Sequence, residues 1–177
     1  MPSEDYLITE RVRLRRFTAE DAPLLVELDS DPEVRKYVDM PHPPSLEDAA
    51  RTIGNFLAWY DRDDKYGYWA AHSLARNGEP FMGWFHLRPC RTPPHDIELG
   101  YRLKKEFWGR GYATEVGKDL IARAFREFDV PKVIGIALAE NQGSRRVMEK
   151  VGMHLEEEFQ YDGRLPAMRY AMDRPAS

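Results

Sequence analysis

The sequence predicts an α/β fold of the α+β kind. It is a mixed, mostly antiparallel central sheet of about seven strands, flanked by about four helices. Three observations carry this. Period-2 alternation recurs in short segments; in 96–103, for example, Ile97, Leu99 and Tyr101 share one face while Asp96 and Glu98 take the other. Helical spacing recurs in longer ones; in 113–128, Ala113, Val116, Leu120, Ala124 and Phe128 form one stripe. The order of elements, β-αα-βββ-α-β-α-ββ, combines hairpin-linked strands with two strand-to-helix crossovers, which makes a mixed sheet covered by helices. The 177 residues, 42% hydrophobic and 32% charged, suit one globular domain spanning 1–177.

Residues 7–17 read as an edge strand, with Val12 and Leu14 inward, Leu7 and Phe17 farther out, and Arg11, Arg13 and Arg15 outward. Thr18-Ala-Glu-Asp is a helix start with acids where the helix dipole favours them, and Ala22, Leu25, Val26 and Leu28 supply its stripe. Pro32 follows that helix, and three prolines in 39–44 forbid another. Ser45 caps the second helix, whose apolar positions are Ala49, Ile53, Phe56, Leu57 and Tyr60. Residues 66–74 and 81–87 are strands joined at Arg76-Asn77-Gly78-Glu79, where Asn-Gly supplies positive φ angles. Three prolines mark 88–95 as a loop. Residues 132–139 are apolar on both faces, as in a central strand. Residues 141–151 form a short helix closed by Gly152. Strands 154–161 and 165–172 finish as a hairpin around Asp162-Gly163.

Composition excludes several functions. The net charge of −4 argues against bulk nucleic-acid binding and against a ribosome-associated role without chemistry. Cys90 is the sole cysteine, so there is no intramolecular disulfide and no Cys-rich metal site. His42, His72, His86, His95 and His154 lack ligand spacing, and no metal is expected. There is no G-x-S-x-G element, and Cys90 has no local partner for covalent chemistry. The acidic start lacks the apolar core of a signal peptide. The longest apolar or glycine run, Val133 to Ala139, falls far short of the ~18 residues of a span. These features predict a soluble cytoplasmic protein with no membrane partner.

Chemistry concentrates in 98–115, ELGYRLKKEFWGRGYATE. A strand runs into a turn with Gly109 and Gly111, and a helix begins at once. Glycines permit a tight turn and a close ligand approach, and the helix start adds unpaired N–H donors and a positive dipole end. Five basic residues (Arg102, Lys104, Lys105, Arg110, Lys118) face two acids (Glu106, Glu115) in 102–118. The arrangement suits a phosphate, or else a glycine-bearing turn on a solvated basic face. It is neither a Walker A loop, since 111–118 is one residue too long and Asp119 replaces Ser/Thr, nor a dinucleotide fingerprint, which needs glycine where Thr114 stands.

ITERVRLRRF with Glu20-Asp21, ELGYRL, FWGRGYATE and NQGSRRVMEKVGM occur in the order and spacing of one family. The chain resembles the GNAT superfamily of acyl-CoA-dependent N-acetyltransferases over nearly its whole length, in particular the branch of ribosomal-protein N-terminal acetyltransferases. The resemblance implies a GNAT-like fold and acetyl-CoA as co-substrate. The family's Gln/Arg-x-x-Gly-x-Gly/Ala pyrophosphate loop corresponds to Glu106-Phe107-Trp108-Gly109-Arg110-Gly111, with Glu106 departing at the first position. It implies that the N–H groups of Gly109, Arg110, Gly111, Tyr112, Ala113 and Thr114 receive phosphate, with the Thr114 hydroxyl added and Trp108 beside them. Leu103 and Lys104 match the strand end that pairs with the pantetheine arm. Asn141 matches the pantetheine-amide contact and Ser144 a position near the sulfur; both residue types are also favoured as helix caps. Met148 stands where many members carry a tyrosine that protonates the leaving thiolate.

The implied reaction is direct attack by a primary amine (a protein N-terminus or a small-molecule amine) in a ternary complex. An ammonium must first lose a proton, which calls for a base. Glu98 is the candidate, on the strand face it shares with Asp96 and Gly100; the alternative for it is a surface strand glutamate. Ser144 is the second catalytic candidate. The acceptor would meet the variable segments 37–44 and 160–164, with Tyr37, Met40 and Tyr161 as lining residues. Dimerisation is common among members, leaving a homodimer open. The competing function is a non-catalytic acyl-CoA-binding module.

Overall fold

Strands β1 (Asp5–Ile8) and β2 (Val12–Arg16) form an antiparallel hairpin in the computed structural model, which describes residues 4–91 and 95–176. The single edge strand expected over 7–17 is therefore two. Thr9 breaks it: its N–H donates to the Val12 carbonyl at 2.8 Å, and its Oγ1 accepts from the Val12 N–H at 3.1 Å. Such local side-chain bonding competes with the strand ladder. The edge is β1, and β2 lies inside it, paired with β3 (Gly67–Ser73).

The eight-stranded sheet runs β1-β2-β3-β4-β5-β6-β8-β7, with β4 (Phe81–Pro89), β5 (Ile97–Leu103), β6 (Lys132–Leu138), β7 (His154–Tyr161) and β8 (Leu165–Asp173). β5 and β6 are parallel, with Ile97 opposite Val133 and Glu98 opposite Ile134. The β1/β2, β2/β3, β6/β8 and β7/β8 pairs are antiparallel. The helices are α1 (Ala22–Ser30), α2 (Pro32–Arg35), α3 (Leu46–Arg62), α4 (Tyr112–Glu127) and α5 (Gln142–Lys150). The count is thus one strand and one short helix above expectation. Pro32 does not merely follow α1; it opens the single turn of α2 at the position where a missing N–H costs nothing.

The chain divides into two compact units. The first runs to His86 and takes up Tyr101–Tyr112; the second holds Leu87–Gly100 and everything from Ala113 onward. In the first, α1 and α3 pack Ala22, Leu25, Leu28, Ala49, Ile53 and Phe56 against Tyr68, Ala70, Phe81 and Trp84. Phe56 stacks on Tyr68 at 4.1 Å. Each helix starts where the sequence places its cap. Thr18 with Asp21 precedes α1, and Ser45 with Asp48 opens α3, both as capping boxes. Asp21 also takes Arg15 in two bonds of 2.7 and 3.0 Å. Burial pushes its carboxyl up, but Arg15 and the Thr18 N–H outweigh that and hold it below its ordinary value.

In the second unit, β6 is apolar on both faces as its sequence demands. Ile134 packs with Cys90 and Ala171. Gly135 takes the opposite face, and a Cβ there would stand 2.4 Å from Met148 Sδ. Met148 is thus a core residue whose seat is cut by Gly135. Gly117 likewise lets α4 close on Val151 and Leu99.

The two Asn/Asp-Gly hairpins differ. Asp162 and Gly163 both take positive φ, as expected. At the first hairpin, however, Gly78 and Glu79 do so and Asn77 does not. The Glu79 N–H closes that turn on the Arg76 carbonyl at 3.2 Å. The Pro-rich loop expected over 88–95 begins later, since β4 extends to Pro89; its residues 92–94, like the acidic start 1–3, lie outside the described residues.

Candidate active site

β5 ends at Leu103, and a single 3-10 turn (Lys105–Phe107) leads to Gly109 and Gly111. Their φ angles are +68° and +81°. Both lie in the left-handed region that glycine enters without the Cβ penalty. A Cβ on Gly109 would meet nothing within 4 Å, so its conformation, and not crowding, requires glycine there, and the space beside it is open. α4 begins at Tyr112. Gly111, the residue before it, has no side chain with which to cap the helix.

Around this open stretch the loop is well tied. Phe107 and Tyr112 are buried and meet edge to face, centroids 5.9 Å apart, while Trp108 is 41% exposed. The Trp108 indole N–H donates to the Leu103 carbonyl at 2.8 Å. The Lys104 N–H donates to the Met82 carbonyl at 2.8 Å, and its carbonyl accepts from the Phe107 N–H at 3.0 Å. Glu106 accepts from Arg76 at 2.6 Å, and the Arg76 guanidinium lies 4.5 Å over the Phe107 ring. The acid at the loop's first position thus has a built-in cation from the β3–β4 turn.

The loop's approach is anchored too. Arg102 makes two bonds to the buried Asp29, at 2.9 and 3.0 Å, and lies 5.1 Å over Trp84. Burial raises the Asp29 carboxyl above its ordinary value against the pull of Arg102. Gly83 admits the Arg102 carbonyl, which would stand 2.0 Å from a Cβ at that position. Lys104 reaches Glu27 at 2.6 Å. Tyr37 and Met40, the expected acceptor-lining residues of this unit, sit half-buried after α2, with Lys36 Nζ 5.3 Å over the Tyr37 ring.

His72 is bonded at both ring nitrogens. Arg15 Nε donates to its Nε2 at 3.1 Å and its Nδ1 meets the Glu79 carbonyl at 2.9 Å, a pattern that requires the neutral Nδ1–H tautomer. Burial, reinforced by Arg15, lowers its pKa to about 4. His86 is buried, with its ring 5.0 Å from Tyr68 and 5.7 Å from Trp84.

In the second unit, Glu98 is nearly buried, its side chain 14% exposed, and Arg88 Nη2 stands 3.2 Å from its carboxylate. Asp96 belongs to a separate network: Arg169 bonds it at 2.5 Å and Glu156 at 2.9 Å. At α5, Asn141 Oδ1 accepts from the Ser144 N–H at 3.1 Å and caps the helix. The capping role of Asn141 is therefore real, whatever else its amide does. Arg145 Nε donates to the Tyr170 hydroxyl at 3.2 Å. Met148, at 2% exposure, offers a thioether without a proton. Tyr161 is exposed at the end of β7.

Sequence reasoning passed over Arg88, Asp29 and Arg76. Their partners lie in other elements, and an isolated arginine or aspartate has no periodic signature. The one available hint for Arg76 was Glu106 itself, an acid in a basic stretch.

A family described as the acetyltransferase (GNAT) domain matches residues 11–154. The chain is 31% identical to the FsC-acetyl coenzyme A-N(2)-transacetylase of Aspergillus fumigatus, over 95% of this chain and 76% of that one. It is 26% identical to the N-acetyltransferase YoaA of Bacillus subtilis, over 96% and 90%. Its fold matches that of RimL, a ribosomal L7/L12 alpha-N-protein acetyltransferase in complex with coenzyme A, with a TM-score of 0.81 at 17% identity over 96% and 98%. With the family match running from β2 to the start of β7, the chain belongs to the GNAT acetyltransferases and is an acyl-CoA-dependent N-acetyltransferase.

Proposed function

We propose that this transferase moves the acetyl group of acetyl-CoA to a primary amine, either a protein N-terminus or a small-molecule amine, by direct attack in a ternary complex within one cytoplasmic domain. The observation that carries the reading is the loop at Gly109 and Gly111, in left-handed conformation and open beside Gly109, entering a helix whose preceding residue has no side chain to cap it. Such a cradle fits a diphosphate. Relatives named for acting on N(2) of FsC and on a ribosomal alpha-N-protein share one chemistry, a nitrogen nucleophile.

The N–H groups of residues 109–114 would hold the diphosphate, with the Thr114 hydroxyl added. The backbone of Leu103 and Lys104 and the Asn141 amide would receive the pantetheine arm. Acetyl-CoA supplies the acetyl group as a thioester with a tolerable leaving group. Glu98 takes the proton from the incoming ammonium, directly or through a water. Arg88 fixes the orientation of that carboxylate. Met148 has no proton to give, so Ser144 is the protein's donor near the sulfur. Tyr37, Met40 and Tyr161 would meet the acceptor.

A screen of amino-terminal peptides and free amines, read by thiol release from acetyl-CoA, tests the transfer. Glu98→Gln should lower kcat roughly 10²- to 10⁴-fold while CoA affinity stays unchanged. An unaltered kcat would move the base elsewhere and leave Glu98 as a structural partner of Arg88. No thiol release with any amine would defeat the transfer reading.

A further inference from the structure

Arg11 stands in the turn between β1 and β2, 99 positions before the loop it touches. Its backbone is fixed on both sides. The Thr9–Val12 bonds close the turn beneath it, and the Leu74 N–H donates to its carbonyl at 2.8 Å. Its side chain crosses to the glycine loop. Nη1 donates to the Arg110 carbonyl at 3.0 Å, Cζ lies 4.4 Å over the Tyr112 ring, and Nη2 would stand 3.5 Å from a Cβ on Gly111. One guanidinium therefore holds the residues on either side of Gly111, Arg110 and Tyr112.

The consequence follows from peptide geometry. In a trans peptide the carbonyl and the next N–H point in opposite directions. With the Arg110 carbonyl drawn to Arg11, the Gly111 N–H points away from Arg11. A glycine at φ +81° has little intrinsic preference between this peptide orientation and its flip. Arg11 removes the choice.

We propose that Arg11 is a positioning residue for diphosphate binding. It sets the Gly111 N–H, and with it the entry to α4, in the orientation that receives the anion, and it does so without being the charge that attracts it. The proposal rests on the acetyl-CoA reading above. It also explains the planar fork: a guanidinium bonds a carbonyl in its plane while its flat face lies on a ring, a fixed geometry that the tetrahedral donors of an ammonium on a flexible stem do not reproduce.

The test is calorimetry of CoA binding to the full chain and to Arg11→Lys and Arg11→Met, repeated across salt concentrations and accompanied by thermal melts. The wild type binds CoA. Both variants should bind it about tenfold or more weakly, the loss expected for a charge-assisted bond. Arg11→Lys should keep the wild-type salt dependence, because the charge is retained. In the wild type, CoA should slow hydrogen exchange at the Gly111 amide; in Arg11→Met it should not. Wild-type affinity in Arg11→Lys with weak binding in Arg11→Met would mean that Arg11 acts as a charge alone, and overturns the proposal. Wild-type affinity in both overturns it as well. If Arg11→Met does not fold, Tyr112→Leu removes the ring under the guanidinium and must weaken CoA in the same direction; unchanged affinity there is equally fatal. Absence of CoA binding by the folded wild type would instead defeat the acetyl-CoA reading itself, and this inference with it.

Discussion

Two helix starts were expected to contact the same co-substrate, and the structure builds them on opposite principles. At α5 the chain supplies its own acceptor: Asn141 Oδ1 takes the Ser144 N–H. At α4 the preceding residue is Gly111, which has nothing to offer, and Gly109 beside it faces open space. Protein contacts surround the second start but do not fill it: Arg76 on Glu106, the Trp108 indole on Leu103, Arg11 on Arg110. A capped helix start has an internal acceptor for one of its leading donors. A helix start preceded by glycine has no such side chain, and its N–H groups and dipole suit an anion.

The comparison breaks most sharply at Gly111. Gly111→Val puts a β-branched residue at φ +81°, a conformation costing about 2 kcal/mol, and adds a Cβ against Arg11. CoA affinity should fall about a hundredfold, the equivalent of two charge-assisted hydrogen bonds, as read by calorimetry. Retained affinity would make the loop an ordinary turn.

A smaller effect separates the two roles of Asn141. Asn141→Ala removes the cap and should lower stability by about 1 kcal/mol, measured by denaturant melts. Asn141→Asp keeps the accepting oxygen, so stability should hold while the amide donor is lost. A drop in CoA affinity in both variants, with stability lost only in Asn141→Ala, would show that the amide also serves the ligand; wild-type affinity in both would leave α5 with a purely structural start.

The smallest effect belongs to Arg76→Ala. Its pair with Glu106 is partly exposed, and such pairs contribute about 1 kcal/mol or less. Stability and CoA affinity should both shift by a few-fold at most. A loss as large as that of Gly111→Val would mean that the Glu106 end of the loop, and not its glycines, governs binding.

Much of the fold was legible because it is written in local periods. α3, α4, α5 and the β7–β8 hairpin fall within a residue or two of their expected bounds. Ser45, Asn141 and Gly152 mark ends by chemistry that acts over three or four positions. The β1–β2 hairpin was missed for a related reason: Thr9-Glu10-Arg11 carries no Gly, Pro or Asn to mark a turn, and the bonds between Thr9 and Val12 close it. At the first Asn-Gly turn the dipeptide named the turn, but the positive φ angles moved one residue along, to Gly78 and Glu79.

The candidate site divides in the same way. Gly109, Gly111, the helix after them and the family to which they point were determined by the sequence alone, because a tight turn into a helix start is a local property of residue types. What stands around them was decided by tertiary structure. Met148 fills the space over Gly135, Glu98 pairs with Arg88, and Arg11 crosses 99 positions to hold the Arg110 carbonyl. None of these has a period or a spacing. They exist because the sheet brings strand ends and turns from distant parts of the chain together, and a side chain's partner is set by that proximity rather than by its neighbours in sequence.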